Sequence, residues 1–138
     1  MIWSIIFTLI LIALSIKIHG LALVFLARIK IKKFVYTDFV KISFVLIFSH
    51  LIQISLFALY YQYVFHTHPE MNFFEGNLKG TFLDFFYYSA NCYTTLGTGD
   101  IFANGAMRIT SGLEALIGLV LIAWTASFKL NYLFKNKN

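Results

Sequence analysis

Three apolar stretches constrain this chain of 138 residues more than anything else in it. An α-helix rises about 1.5 Å per residue, so roughly 20 residues cross the ~30 Å of hydrocarbon in a bilayer. Residues 42–65 and 106–128 have that length and are predominantly apolar. Near the amino end, residues 2–16 are too short to cross alone, but continuing through Lys17 and His19 to residue 27 gives about 39 Å. A tilted helix over 1–27 is therefore expected, with Lys17 turned to a neighbour or to water. A cleaved leader is the rival reading of this stretch. It fits less well, because nothing basic precedes the apolar run and the basic cluster follows it. With 59% hydrophobic and 12% charged residues, the chain is neither disordered nor an ordinary water-soluble domain.

The basic residues give an orientation. Arg28, Lys30, Lys32, Lys33 and Lys41 collect in the first connection, residues 28–41, and Lys129, Lys135 and Lys137 in the tail, residues 129–138. Lysine and arginine mark the cytoplasmic side, so the amino end is expected outside and the carboxyl end inside the cell (inner) membrane. Three crossings join such ends. The connection 66–105 carries Glu70, Glu75, Asp84 and Asp100 against Lys79 and falls on the outer side. The net charge of +5 is thus a topology signal, and no basic stripe points to nucleic acid. The cluster Arg28, Lys30, Lys32 and Lys33 can also hold anionic lipid, although a topology anchor explains it as well. The lone Cys92 excludes an internal disulfide.

The outer connection turns apolar and aromatic again from Phe82 to Tyr93. A helix of that length is only about 18 Å long and cannot cross. Irregular backbone at membrane depth is tolerated only where protein or water covers it, so a re-entrant half-helix over 81–94 is expected after an external loop, 66–80. Thr81 followed by Asp84 has the spacing of a capping box, and the acid suits the positive end of the helix dipole. Directly after comes Thr94-Thr95-Leu96-Gly97-Thr98-Gly99-Asp100. A dehydrated monovalent cation needs a shell of oxygens in place of its water, and inward-pointing backbone carbonyls provide one without fixed charge. Glycine makes the alternating backbone cheap, which suits Gly97 and Gly99. Thr95 can add a hydroxyl oxygen. A phosphate cradle is excluded, because no lysine and no helix start follow the glycines.

With this motif the chain resembles the pore module of the potassium channel family, over roughly residues 42–128. That family's filter commonly reads T-V-G-Y-G-D, and the corresponding residues here are Thr95-Leu96-Gly97-Thr98-Gly99-Asp100. The resemblance is to small bacterial channels with one pore loop, with an extra leading helix. It implies an all-α integral membrane protein of three transmembrane helices, with a pore helix and filter, residues 95–99, between the second and third. It also implies potassium sites formed by the carbonyls of Thr95, Leu96, Gly97 and Thr98, and a homotetramer around one axis. Neither enzymatic chemistry nor a cofactor is implied, only a permeant cation.

Two departures from the family bear on selectivity. Thr98 stands where an aromatic residue usually braces the filter, which makes a weakly selective cation pore, passing sodium too, the alternative. Tyr87, Tyr88 and Tyr93 are expected to fill that cuff, with their hydroxyls near the filter. Asn91 replaces a carboxylate that some relatives pair with the filter aspartate, so Asp100 is expected to meet its amide. In the last helix, Gly118 falls at a position where the family often hinges, with Gly112 before it; close helix packing explains them equally. Glu114 is expensive at that depth and is expected to tie this helix to the pore helix.

Other candidates are histidines. His50 lies within the second crossing beside Ser49 and Gln53, where a helix-to-helix hydrogen bond is favoured over a functional role. A haem ligated by His50 and a second histidine is a rival from another class. His66 and His68 have a metal-binding spacing, though loop histidines commonly just titrate. A third reading is a non-conducting subunit of other pores. No crossing has the arginine series of a voltage sensor.

Overall fold

The computed structural model describes residues 2–28 and 36–135. Helix α1 runs Ile2–Arg28, α2 Tyr36–Thr67, α3 Phe82–Tyr93 and α4 Ala106–Lys135. A 3-10 turn, Pro69–Met71, and two short strands, β1 Phe74–Gly76 and β2 Ile101–Ala103, lie between the helices. Helices α1, α2 and α4 are each long and apolar enough to cross a bilayer, and α3 is the short helix among them. The protein is an all-α membrane protein apart from this ribbon.

The long helices outrun the stretches expected from hydropathy. The second begins at Tyr36, not residue 42, and ends at Thr67, not 65; the last continues to Lys135, past 128. The segments 28–41 and 129–138, expected as connection and tail, are therefore partly helical. Hydropathy marks where a helix can lie in lipid, whereas backbone hydrogen bonding continues past the apolar stretch where no proline interrupts it. Of the basic cluster, Arg28 ends α1, while Lys30, Lys32 and Lys33 lie outside the described residues.

Two apolar clusters hold the helices. One gathers Phe57, Tyr61, Phe74, Phe85, Tyr88, Met107 and Leu121 around α2, α3 and α4. The other joins Leu23 and Leu26 of α1 to Ile42 and Leu46 of α2 at the basic end. Helix α1 buries Thr8, Leu11, Ser15, His19, Leu23 and Leu26, a stripe repeating every three or four residues that makes one helix face. Lys17 lies on the opposite, exposed face. Small and polar residues in the buried stripe allow close approach and hydrogen bonds in a medium without hydrophobic drive between helices. The Thr8 and Thr110 hydroxyls are 2.9 Å apart, and the Tyr60 hydroxyl donates to Ser4 at 3.2 Å. The start of α1 therefore meets the end of α2 and the start of α4.

The ribbon closes the segment that carries α3. β1 pairs antiparallel with β2, with Phe74 opposite Ala103 and Gly76 opposite Ile101. Asn77 N–H donates to the Asp100 carbonyl at 2.9 Å. Gly76 has φ +115°, and a Cβ there would collide with the Asp100 carbonyl, so only glycine fits.

Candidate functional site: the re-entrant loop

Helix α3 starts on a complete capping box. The Thr81 side chain accepts from Asp84 N–H at 3.3 Å, and the Asp84 carboxylate accepts from Thr81 N–H at 2.9 Å. The Thr81 bonds, with help from Lys79 N–H, hold the Asp84 carboxyl below its ordinary range. The helical residues are Phe82–Tyr93, so Thr81 and Thr94, expected inside the helix, are its caps. At its other end, Thr94 N–H donates to Ala90, Thr95 N–H to Cys92 and Leu96 N–H to Asn91, satisfying three of the last four carbonyls.

Beyond this end the backbone alternates in sign. Thr95, Gly97 and Gly99 have φ of +58°, +63° and +77°, while Leu96 and Thr98 between them stay negative. Alternating left- and right-handed residues turn successive peptide planes the same way, so a short extended segment presents a row of carbonyls. Gly97 and Gly99 adopt this freely; Thr95 pays a steric penalty of roughly 1–3 kcal/mol that its surroundings must hold. The Thr95 hydroxyl donates to the Thr94 carbonyl at 2.6 Å.

The outer part of this segment is tied from behind by side chains. Thr98 Oγ1 donates to Asp100 Oδ1 at 2.6 Å, and the Tyr87 hydroxyl shares its one proton between Thr98 Oγ1 at 3.0 Å and Asp100 Oδ1 at 3.2 Å. The Thr98 bond first, and the Tyr87 bond with it, keep the Asp100 carboxyl below its ordinary range. Tyr88 and Tyr93, expected to reach the filter as well, turn elsewhere. Tyr88 meets Ser111 of α4 at 2.6 Å, and Tyr93 bonds His50 and Gln53 of α2. The expected amide partner of Asp100 is also corrected: Asn91 Nδ2 donates to the Tyr87 carbonyl at 2.9 Å, a local bond one helical turn back that leaves Asp100 to Tyr87 and Thr98. Behind the strand lies an open cavity of about 410 Å³, lined by Asn91, Thr95, Gly97, Thr98, Arg108 and Gly112 among others.

Glu114 is fully buried and joins three helices. Ser89 Oγ of α3 donates to its Oε1 at 2.5 Å and the Tyr61 hydroxyl of α2 to its Oε2 at 2.6 Å. The Ile54 carbonyl, 2.8 Å from the same Ser89 Oγ, competes for that one proton. Gly118 packs against the end of α3, where a Cβ would collide with the Tyr93 carbonyl, while nothing lies within 4 Å of a Cβ at Gly112. Tyr61 and Ser89 were not singled out from sequence, because a serine and a tyrosine in an aromatic stretch give no sign of a distant partner.

His19 and His50 are not posed as a pair of axial haem ligands. Both ring nitrogens of His50 are hydrogen-bonded, to Tyr93 and Thr125, and both of His19, to Ser49 and Thr125. Their ring centroids are 4.8 Å apart, too close for a porphyrin between two axial ligands. His66 Nε2 lies 2.9 Å from the Gly80 carbonyl, and among the described residues no three His, Cys, Asp or Glu side chains gather for a metal.

The family described as "Ion channel" matches residues 40–135, which span α2, α3, the re-entrant segment and α4. No curated protein matches the chain, and no solved structure does.

Proposed function

The chain belongs to this ion-channel family, and from that premise we propose a passive, potassium-preferring channel formed by four copies around one axis. Carbonyls of Thr95, Leu96, Gly97 and Thr98, with Gly99 completing the turn, replace the water of a travelling potassium ion. The observation that carries this reading is the alternation of φ at Thr95, Gly97 and Gly99, on a segment held between the end of α3 and the ribbon. The carboxyl end of the α3 dipole adds partial negative charge below the segment, where a cation waits. No bond is made or broken in such transport; the ion moves between sites close enough that neighbouring ions expel one another.

One chain supplies one such segment, so a closed shell needs several, and a four-fold ring is the arrangement the filter resemblance implies. The neighbouring copy covers the cavity behind the strand. The amino end faces outward and the basic ends of α1, α2 and α4 face the cytoplasm, where Arg28, with Lys30, Lys32 and Lys33, meets anionic headgroups.

Selectivity has two readings. The tie from Tyr87 through Thr98 to Asp100 braces the outer sites and supports potassium over sodium. The cavity of about 410 Å³ beside Thr98 favours the second, a pore loose enough to pass both. Flux from liposomes holding the purified chain, under matched potassium and sodium gradients, separates them. The first reading expects potassium preference in the native chain, reduced in Tyr87→Phe. The second expects little preference until Thr98→Tyr fills the space. Absence of flux for either ion from the native chain overturns both and favours an accessory subunit.

A further inference from the structure

Helix α1 lies outside the matched family region, yet it contributes to a closed circuit of buried and half-buried side chains. His50 Nδ1 is 2.7 Å from the Tyr93 hydroxyl, which donates to Gln53 Oε1. Gln53 Nε2 donates to Ser49 Oγ at 3.2 Å, and Ser49 Oγ is 3.2 Å from His19 Nδ1. His19 Nε2 is 3.1 Å from Thr125 Oγ1, which is 2.9 Å from His50 Nε2 and closes the ring. Six side chains from α1, α2, α3 and α4 take part, and each has two partners within it. His19, Ser49, Gln53 and Tyr93 are buried.

The proton count has a definite solution. A hydroxyl has one proton to donate, so Tyr93, having donated to Gln53, accepts from His50 Nδ1–H. His50 Nε2 is then bare and accepts from Thr125. Thr125 in turn accepts from His19 Nε2–H, whose bare Nδ1 accepts from Ser49. Every member donates once and accepts once, in one direction round the ring. The two imidazoles are neutral and must hold opposite tautomers; turning the Gln53 amide over reverses the direction and exchanges the tautomers but leaves them opposite. An extra proton on either ring places a donor where the circuit needs an acceptor. Among the described residues, the titratable groups facing this pair are each other and Tyr93, and the Trp124 ring of α4 lies 6.2 Å from His19.

Tyr93 is the last residue of α3 and its backbone leads directly into Thr94 and Thr95. We propose that His19 of α1 is a positioning residue for conduction: through Thr125 and His50 it fixes the Tyr93 hydroxyl, and with it the foot of the carbonyl segment. This rests on the channel reading above, whereas the ring itself does not. Helix α1 is then part of the conducting machinery and not only an anchor.

The test has two arms on the full chain in lipid bilayers. Nitrogen-15 spectra of labelled histidines should show His19 and His50 neutral and in opposite tautomers, His19 with its proton on Nε2 and His50 on Nδ1. Thr125→Val, which removes one hydroxyl at nearly constant shape, should leave the proton on His50 Nδ1 but strip Nε2 of its donor and shift that nitrogen's signal, and Thr125→Ser should restore it. Like tautomers, or a His50 signal indifferent to Thr125→Val, overturn the ring. In the second arm, His19→Phe and Thr125→Val should each lower cation flux by roughly tenfold, the scale of one net hydrogen bond lost from the aligned state. The double variant should fall no further, and Thr125→Ser should conduct normally. Unchanged flux, or losses that multiply, overturn the positioning role while leaving the ring intact. If the native chain passes no ion although its tautomers are opposite, the channel reading has failed and the positioning role with it.

Discussion

Thr98 Oγ1 uses its single proton on Asp100 and accepts from Tyr87, so a short side chain is held at both sides where bulk would otherwise wedge the strand. The acid in this tie works only when ionised, because a protonated Asp100 no longer accepts both hydroxyls freely. Its folded pKa is depressed below 3.8, so its contribution is complete above that value and disappears as pH falls through the depressed one. A carbon-13 titration of the Asp100 carboxyl should therefore show a midpoint under 3.8, moving upward in Thr98→Val. Glu114 presents a different case. Replacing it with leucine strands the buried Tyr61 hydroxyl and takes one of two acceptors from Ser89, which should cost about 1–3 kcal/mol. Glu114→Gln keeps an oxygen for Tyr61 and should lose less. Unfolding in detergent, followed by heat or denaturant, ranks the two variants; equal stability would mean that the carboxylate does not join the three helices.

Among elements, the contact of α3 with α4 depends on one missing side chain. Gly118→Ala puts a methyl group into the Tyr93 carbonyl and should push the helices apart, lowering the melting temperature and the yield of folded protein. Gly112→Ala meets nothing within the chain and should leave the fold intact, since alanine favours a helix over glycine by roughly 1 kcal/mol. The crossings were legible in sequence because transfer into lipid depends on local composition. Their ends were not, since Tyr36 to Lys41 and Lys129 to Lys135 are helical without being apolar. The re-entrant helix was legible from its length and from Thr81 and Asp84, which act within one turn. What escaped were partners far apart in the chain: Glu114 with Ser89 and Tyr61, Thr125 with His19 and His50. The spacing of Thr8, Ser15 and His19 puts them on one helix face, a signal of the polar, buried side of α1 that the apolar residues around them concealed. The pairing of Asp100 with Asn91 was expected from resemblance, and the bond of Asn91 to its own helix displaced it.

At the scale of the whole molecule, a single chain leaves the proposed ion sites open, with Leu96, Thr98 and Asp100 exposed. Cross-linking in membranes and native mass measurement should find four copies of the 15.9 kDa chain. A monomer or dimer that still conducts would refute the shared shell. Within each copy, the ribbon of Phe74–Gly76 with Ile101–Ala103 joins the two ends of the segment 77–100 before either reaches a crossing helix. A loop whose ends are already joined pays its closure entropy locally. The mouth spacing is thus set locally by the ribbon, whereas the inner end hangs on the flanking spans through Ser89, Tyr93 and Gly118; sequence drift in those spans would disturb the foot of the segment while its mouth kept its width.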